Sequence, residues 1–452
     1  MRRRRPVVLV AVLVPLAVVL VAPISFAQVA EDPHAPTTPI EHFIVLMQEN
    51  HSFDNYFGTY PGADGLAPGT CMPKDHRNPS KGCVAPFAME DRPALDLPHS
   101  RAAFLSQYRD GRMDGFVSSL RDEGVSFASV MGYYDDREIP FYWNLADEYV
   151  LFDRFFSSAG GGSVWNHFYW VSGSPGNTRG DALRPGGFRR PRTIFDRLQQ
   201  AGVSWKFYVQ NYQPEINYRT YTRPIYADQS AQVVWVPPLN YPRFLDDPEL
   251  SSRIVDLDQY FVDLREGTLP DVAYVVPSGS SEHPPGNLQS GQRFVRTLIV
   301  ELMRSSAWAS SAFMWTYDDW GGWYDHVKPP QVDRFGYGFR VPALMVSPYA
   351  KRGHIDSTTL DYTSALSFIE TNWNLRPLAR RDARADPMLS AFDFDEPPRE
   401  PVLLPVTRGV REEANDAGKP RHTIFLTYGA AIGSAIVLVL VSLPFRGRKD
   451  GG

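Results

Sequence analysis

Residues 43–58 read FIVLMQENHSFDNYFG: five apolar residues, Phe43 to Met47, run almost directly into Glu49, Asn50 and His51. The first part has the length and composition of a buried strand, and the second reads as a polar loop. The chain repeats the theme further on. Val203–Val209, Val272–Val276, Ala312–Thr316 and Val341–Val346 read as short apolar strands. Helical stretches alternate with them: Thr193–Gln200, closed by Gly202; Gln292–Arg304, with Phe294, Leu298 and Leu302 at every fourth position; and Thr363–Trp373. Strands alternating with helices predict an α/β fold with a mainly parallel central sheet.

In open sheets of this kind, ligands bind beyond the carboxyl ends of the strands. Glu49 and Asn50 fall at such an end, and so do Asp318 and Asp319 in AFMWTYDDWGGWYDHV, residues 312–327. Two strands far apart in the chain thus direct three carboxylates and an amide towards one rim, and such a set repels itself unless a cation sits among it. Each acid alone reads as readily as a turn or helix cap. Two clusters together point to a divalent metal ion, whose identity oxygen ligands do not fix. A third element, SSAGGGSVWNHFYWVSG (157–173), sets Ser163 between three glycines and an aromatic-rich helical stretch. Backbone N–H groups at such a helix start suit an anion, and a serine beside a cation can be used as a nucleophile. The remaining candidates are His99 in LDLPHS, His283 in SEHPPG and His326 in WYDHV, each with structural hydrogen bonding as its plain alternative.

With 452 residues, 43% of them hydrophobic, the chain has material for one large domain or two ordinary ones. The formal charge is −5, and −9 without Arg2–Arg5; the other basic residues are dispersed, so a nucleic-acid partner is not expected. Arg2–Arg5, the apolar run Val7–Ala22 and Ser25-Phe26-Ala27 have the layout of a cleaved export signal, with an uncleaved anchor as the alternative. At the other end, Ile424–Leu443 is long enough to span a bilayer, and Arg446, Arg448 and Lys449 after it favour the cytoplasmic side. The expected layout is a signal peptide (1–27), a lead-in (28–39), a catalytic domain (40–378), a proline-containing stalk (379–422), a transmembrane helix (424–443) and a basic cytoplasmic tail (444–452). The protein would sit in the cell membrane with its domain extracytoplasmic. Ala67–Pro98 and Gln210–Pro248, rich in Pro, Tyr and Asp, read as cap or lid excursions. In an oxidising compartment Cys71 and Cys83, the two cysteines, would form a disulfide, two free thiols being the alternative.

Taken in order, ENHSFDNYFG, GRMDGF, LADEYVLFDRFFSS, GGSVWNHFYWVSG, SEHPPG, TYDDWGGWYDHV, RVPALMVSPY and DYTSALSFIE form a collinear series. In this the chain, from about Ile40 to Leu378, resembles the bacterial phosphoesterase family of phospholipases C and acid phosphatases. The resemblance implies an alkaline-phosphatase-like α/β/α sandwich with a loop-rich cap and a metal-dependent site. By position, Glu49, Asn50, Asp318 and Asp319 match the family's metal-binding residues, with Asp319 standing where glutamate is usual. Ser163 matches its threonine or serine nucleophile, and His99 and His283 match histidines near the scissile phosphate. His51, Asn166 and His326 are candidates for supporting positions behind these.

The chain also departs from the family pattern. His51 and Asn55 stand where the family often has Arg and His. Around the nucleophile, Gly162, Trp165, Asn166 and His167 replace the usual Pro before it and the Pro-Asn-Arg after it. Tyr362 takes the place of a histidine. The expected activity is phosphoester hydrolysis through a phosphoseryl intermediate, with glycerophospholipid as substrate. A phosphatase acting on soluble monoesters, or a catalytically silent surface-binding protein, are the alternatives.

Overall fold

In the computed structural model the described residues are 33–408, except 91–94, 121–127, 178–179, 181, 222–230 and 285. An eight-stranded sheet is built from β1 (His42–Gln48), β2 (Val150–Phe152), β3 (Trp205–Val209), β4 (Ile254–Asp256), β5 (Val272–Val276), β6 (Ser311–Tyr317), β7 (Ala343–Val346) and β8 (His354–Asp356). Their spatial order is β8-β2-β7-β6-β1-β5-β3-β4. Every neighbouring pair is parallel except the two that involve β7, which runs against both β6 and β2. The expected mainly parallel sheet is therefore present, with one reversed strand.

Alternate side chains of β1 serve opposite layers, which is why its apolar run has no polar gaps. Phe43 packs against Phe368 with ring centroids 4.5 Å apart. On the same face, Tyr274, paired in register with Val45, packs 4.5 Å from Trp170. These contacts seat the helices Tyr362–Asn372 and Ser163–Ser172. On the other face Trp315, opposite Leu46 in the ladder, packs 4.2 Å from Tyr142 of the helix Pro140–Glu148. The helices Asp258–Glu266 and Leu288–Arg304 complete that layer, joined by Tyr260 Oη donating to the Leu298 carbonyl at 3.2 Å. Helices on both faces of a mainly parallel sheet make a three-layer α/β/α sandwich.

Element ends shift where a side chain overrides the periodicity. The helix expected from Gln292 begins a turn earlier at Leu288, because the Asn287 side chain accepts from Ser290 N. The helix expected from Thr363 begins at Tyr362, closed by reciprocal bonds between Asp361 and Ser364.

Two expectations about the periphery are corrected. The described part of Gln210–Pro248 is no lid: Val233, Val234, Leu239, Tyr241 and Phe244 are fully buried, with Tyr241 and Phe244 against Phe168 and Phe195. Its apolar residues cover the sheet flank. Nor does the domain end at Leu378. Met388 and Ala391 are fully buried, Phe392 bridges to Ala350, and Arg399 binds Glu148 at 2.8 Å. The first part of the expected stalk is domain surface because it carries these apolar and ion-pairing anchors. Cys71 and Cys83 are disulfide-bonded in the 67–98 segment. The expected signal segment and the span 424–443 lie outside the described residues; among those described, no helix is long and apolar enough to cross a membrane.

Candidate active site

The ladder between β1 and β6 fixes the centre. Gln48 stands opposite Tyr317, and the pairing continues one step as Asp318 N donates to Gln48 O at 3.0 Å. The first residues beyond each strand, Glu49 and Asp318, are thereby neighbours, and Asn50 and Asp319 follow. β5 flanks β1 on its other side, so the loop after it carries His283 to the same rim. Gly321 holds the turn after Asp319 at φ +59°, and a Cβ there would come 2.2 Å from the Asn50 carbonyl. Only glycine lets the two acidic segments approach this closely.

Ser163 opens its helix directly after Gly162. Asn166, one turn on, braces the glycine loop: its Oδ1 accepts from Ala159 N (3.0 Å), and its Nδ2 donates to the carbonyls of Gly161 (3.2 Å) and Gly162 (3.3 Å). Ser163 Oγ consequently faces Asp319 Oδ2 at 3.5 Å. Glu49, Asn50, Ser163, Asp318 and Asp319 are all at most 4% exposed. His99 and His283 lie beside them with ring centroids 5.7 Å apart. A cavity of about 400 Å³, lined by Asp96, His99, Gly162 and Ser163 among others, leads to the serine. The larger cavity of about 1080 Å³, bordered by Arg137, Arg293 and Arg408, touches none of these groups.

The electrostatics favour a positive charge among these groups. Both oxygens of Glu49 are buried without a hydrogen-bond partner. Burial, then the charges of Asp319 and Glu49, hold the Asp318 carboxyl well above its ordinary range. Burial pushes Asp319 up to about 6 despite the opposing charge of His99. Asn50 can turn its amide nitrogen to Asp318 Oδ2 (3.2 Å), and its oxygen then accepts from His283 Nε2 (3.2 Å) and His99 Nε2 (3.3 Å). In the opposite orientation the amide oxygen faces the Asp318 carboxylate, acceptor against acceptor, which a cation between them would relieve. The residues present therefore fit a divalent ion. Burial works against charge on His99, but Asp319 and the bond from its Nδ1 to Leu97 O (2.7 Å) outweigh it and raise its pKa.

Seven of the expected residues thus converge: Glu49, Asn50, Ser163, His99, His283, Asp318 and Asp319. The supporting candidates divide. Asn166 braces the serine loop as described. His51 is fully buried and its ring nitrogens are engaged elsewhere: it bonds Asn55 (2.7 Å) and the Glu282 carbonyl (3.3 Å), and burial lowers its pKa to about 3. His326 is corrected outright, because it belongs to a separate ion cluster with Asp54 (2.7 Å) and Asp64 (3.2 Å). Two residues at or behind the site are not among the sequence candidates, although one of them, His167, stands out as a departure from the family pattern. His167 lies 3.5 Å from Glu49 Oε1 and 3.8 Å from Asp318 Oδ2; its position four residues after Ser163 on a helix was the available signal. Glu282, one residue before His283, is buried and accepts from the hydroxyls of Tyr56, Tyr142 and Tyr317. Nothing local marked it, since those phenols come from three distant segments.

A hydroxyl at a helix start, set against buried acids that would suit a cation, is compatible with chemistry on phosphate esters. The model of the phosphoesterase family matches residues 40–376, and the chain belongs to that family. It is 29% identical over 418 residues to phospholipase C B of Mycobacterium tuberculosis, covering 80% of this chain and 79% of that protein. It is 28% identical over 439 residues to the non-hemolytic phospholipase C of Burkholderia pseudomallei, covering 82% of this chain and 61% of that one. A solved protein of the alkaline phosphatase superfamily from Vibrio parahaemolyticus aligns over 78% of this chain and 71% of its own, at 11% identity and a TM-score of 0.37. The chain is a hydrolase acting on phosphoric ester bonds.

Proposed function

We propose that the protein is an exported, membrane-tethered, metal-dependent phospholipase C that cleaves glycerophospholipids through a phosphoserine. The observation that carries this reading is Ser163 Oγ, 3.5 Å from Asp319 at the mouth of a 400 Å³ cavity and beside Asp318 and Glu49. The phospholipase C relatives support the lipid substrate. The N-terminal export-like segment, the 424–443 apolar run and the Cys71–Cys83 disulfide support an extracytoplasmic location.

Glu49, Asn50, Asp318 and Asp319 would hold the cation, which when bound supplies positive charge to the serine oxygen and the phosphoryl oxygens. Asp319 faces the Ser163 hydroxyl and accepts its proton. Ser163 Oγ then forms a bond to phosphorus as the bond from phosphorus to the glycerol oxygen breaks. His99, with Nδ1 bonded to Leu97 O and its pKa raised, gives a proton to the departing diacylglycerol oxygen. His283 donates from Nε2 to a phosphoryl oxygen. Water next attacks phosphorus and passes a proton to His99 as the bond from phosphorus to Ser163 Oγ breaks; Asp319 returns its proton to that oxygen, and the phosphorylated head group leaves. The buried setting strengthens each of these interactions, since solvent does not screen them.

The test compares the purified enzyme and Ser163→Ala on phosphatidylcholine and on an aryl phosphate. The expected outcome is diester preference in the wild type and a loss of about 10⁴-fold or more in the variant, with an unchanged thermal melt. Activity confined to the monoester overturns the phospholipase assignment, and wild-type rates in the variant overturn the nucleophile.

A further inference from the structure

We infer that His167 is a nitrogen ligand of the cation held by Glu49 and Asp318, so that the centre selects imidazole-accepting divalent ions such as zinc or cobalt over calcium and magnesium. The inference rests on the metal-dependent reading above. His167 is 1% exposed, and neither ring nitrogen has a hydrogen-bond partner. Leaving such a polar group buried and unsatisfied is costly unless something else occupies it. Its Nε2 lies 3.5 Å from Glu49 Oε1 and 3.8 Å from Asp318 Oδ2. Those separations are long for hydrogen bonds, but two donors bound to one zinc ion stand about 3 to 4 Å apart. One ligand atom from each of Glu49, His167 and Asp318 lies within 4.8 Å of the others, and all three side chains are buried.

The chain places the imidazole by simple means. His167 sits one helical turn beyond Ser163, so both project from the same face of a helix seated on the sheet by Trp170. Trp170 also packs edge-on against the His167 ring at 5.9 Å, which fixes the ring plane. A set of carboxylates with one imidazole suits a borderline ion, whereas an all-oxygen set suits calcium or magnesium. The rival role for His167 is that of a bare positive charge against Glu49 and Asp318, as an arginine at this position would be.

The experiment uses the full-length protein, stripped with a chelator and loaded separately with zinc, calcium or paramagnetic copper(II). Pulsed electron paramagnetic resonance of the copper form is expected to show imidazole nitrogen coupling. That coupling is expected to vanish in His167→Gln and His167→Arg and to persist in His99→Gln and His283→Gln. By calorimetry, zinc affinity is expected to fall at least tenfold in both His167 variants, with calcium affinity changed less. Thermal melts of the chelated variants report folding; should both His167 variants fail to fold, the coupling in His99→Gln and His283→Gln still decides. Cation binding without nitrogen coupling overturns the inference while leaving the metal-dependent reading standing. Coupling or zinc preference retained in His167→Arg also overturns it, and absence of any cation binding overturns both.

Discussion

The same two segments build two buried acid clusters with opposite solutions to their charge. Residues 49–50 and 318–319 supply Glu49, Asp318 and Asp319; a few residues further on, the same segments supply Asp54 and Asp325, at most 2% exposed. The second cluster is answered by Arg340, itself fully buried. Its Nε donates to Asp325 Oδ1 (3.0 Å), its Nη2 to Asp54 Oδ1 (2.9 Å) and its Nη1 to the carbonyls of Asp64 (2.6 Å) and Asp153 (2.7 Å). The first cluster has the His167 imidazole near it, while both Glu49 oxygens stay unpartnered. The fold can neutralise a buried acid with an arginine where the role is structural. Where it leaves the acids without such a partner, they are available to the cation proposed above.

The sharpest way to break this contrast is to remove one group from each side. Arg340→Leu leaves Asp325 buried without a counter-charge and Asp54 with His326 alone, and we expect a loss of about 3–5 kcal/mol in urea unfolding. Asp318→Asn removes one of three mutually repelling carboxylates. In chelator its melting temperature should equal or exceed that of the wild type, while turnover falls by about 10³-fold or more. If Asp318→Asn destabilises the chelated protein as much as Arg340→Leu does, the two clusters are equivalent and the contrast is void.

Acidity sharpens the contrast further. A carboxyl raised by burial, as Asp319 is to about 6, favours the folded state while it keeps its proton, and that advantage disappears as pH rises. Asp318 is shifted in the same direction. The chelated protein should therefore lose stability from about pH 4 through pH 6, and a saturating divalent ion, which binds the ionised acids, should remove that decline. Melting curves with and without chelator, taken every half pH unit, test this. Parallel curves would mean that no ion engages these carboxylates.

How much of this was legible in the sequence follows from what is local. The strands around Phe43, Val272 and Phe313 and the site residues at their ends could be read from the chain, because a strand's exit sits next to it in sequence and parallel register does the rest. His326 was misjudged because its partners Asp54, Asp64 and Arg340 lie far away in sequence, and nothing in WYDHV shows that its charge is already matched. The extent of the domain was misjudged for a similar reason. Residues 379–408 look polar, yet Met388, Ala391 and Phe392 anchor them. Glu282 shows the same limit from the other side: Gly291, an unpromising glycine inside a helix, is there because a Cβ would come 2.0 Å from the Glu282 Oε1 atom.

Glu282 also offers the smallest and most discriminating test, because it is a third buried acid, answered by neither an arginine nor a cation site but by three phenols. Burial raises its carboxyl to about 7, with the hydrogen bonds from Tyr142, Tyr317 and Tyr56 pulling the other way. By the same sign rule, its contribution to stability is complete below an unfolded pKa of about 4.3 and is lost as pH climbs through 7. Glu282→Gln preserves an acceptor for the phenols but cannot ionise. Its stability should vary less with pH than that of the wild type, by about 1–2 kcal/mol between pH 5 and pH 7.5. Because Glu282 precedes His283 and anchors the loop that carries it, the variant should raise KM several-fold while leaving metal content unchanged. Equal pH slopes in the two proteins would show that the three phenols hold Glu282 ionised throughout, and would make this cluster a second example of the Arg340 solution reached with neutral donors.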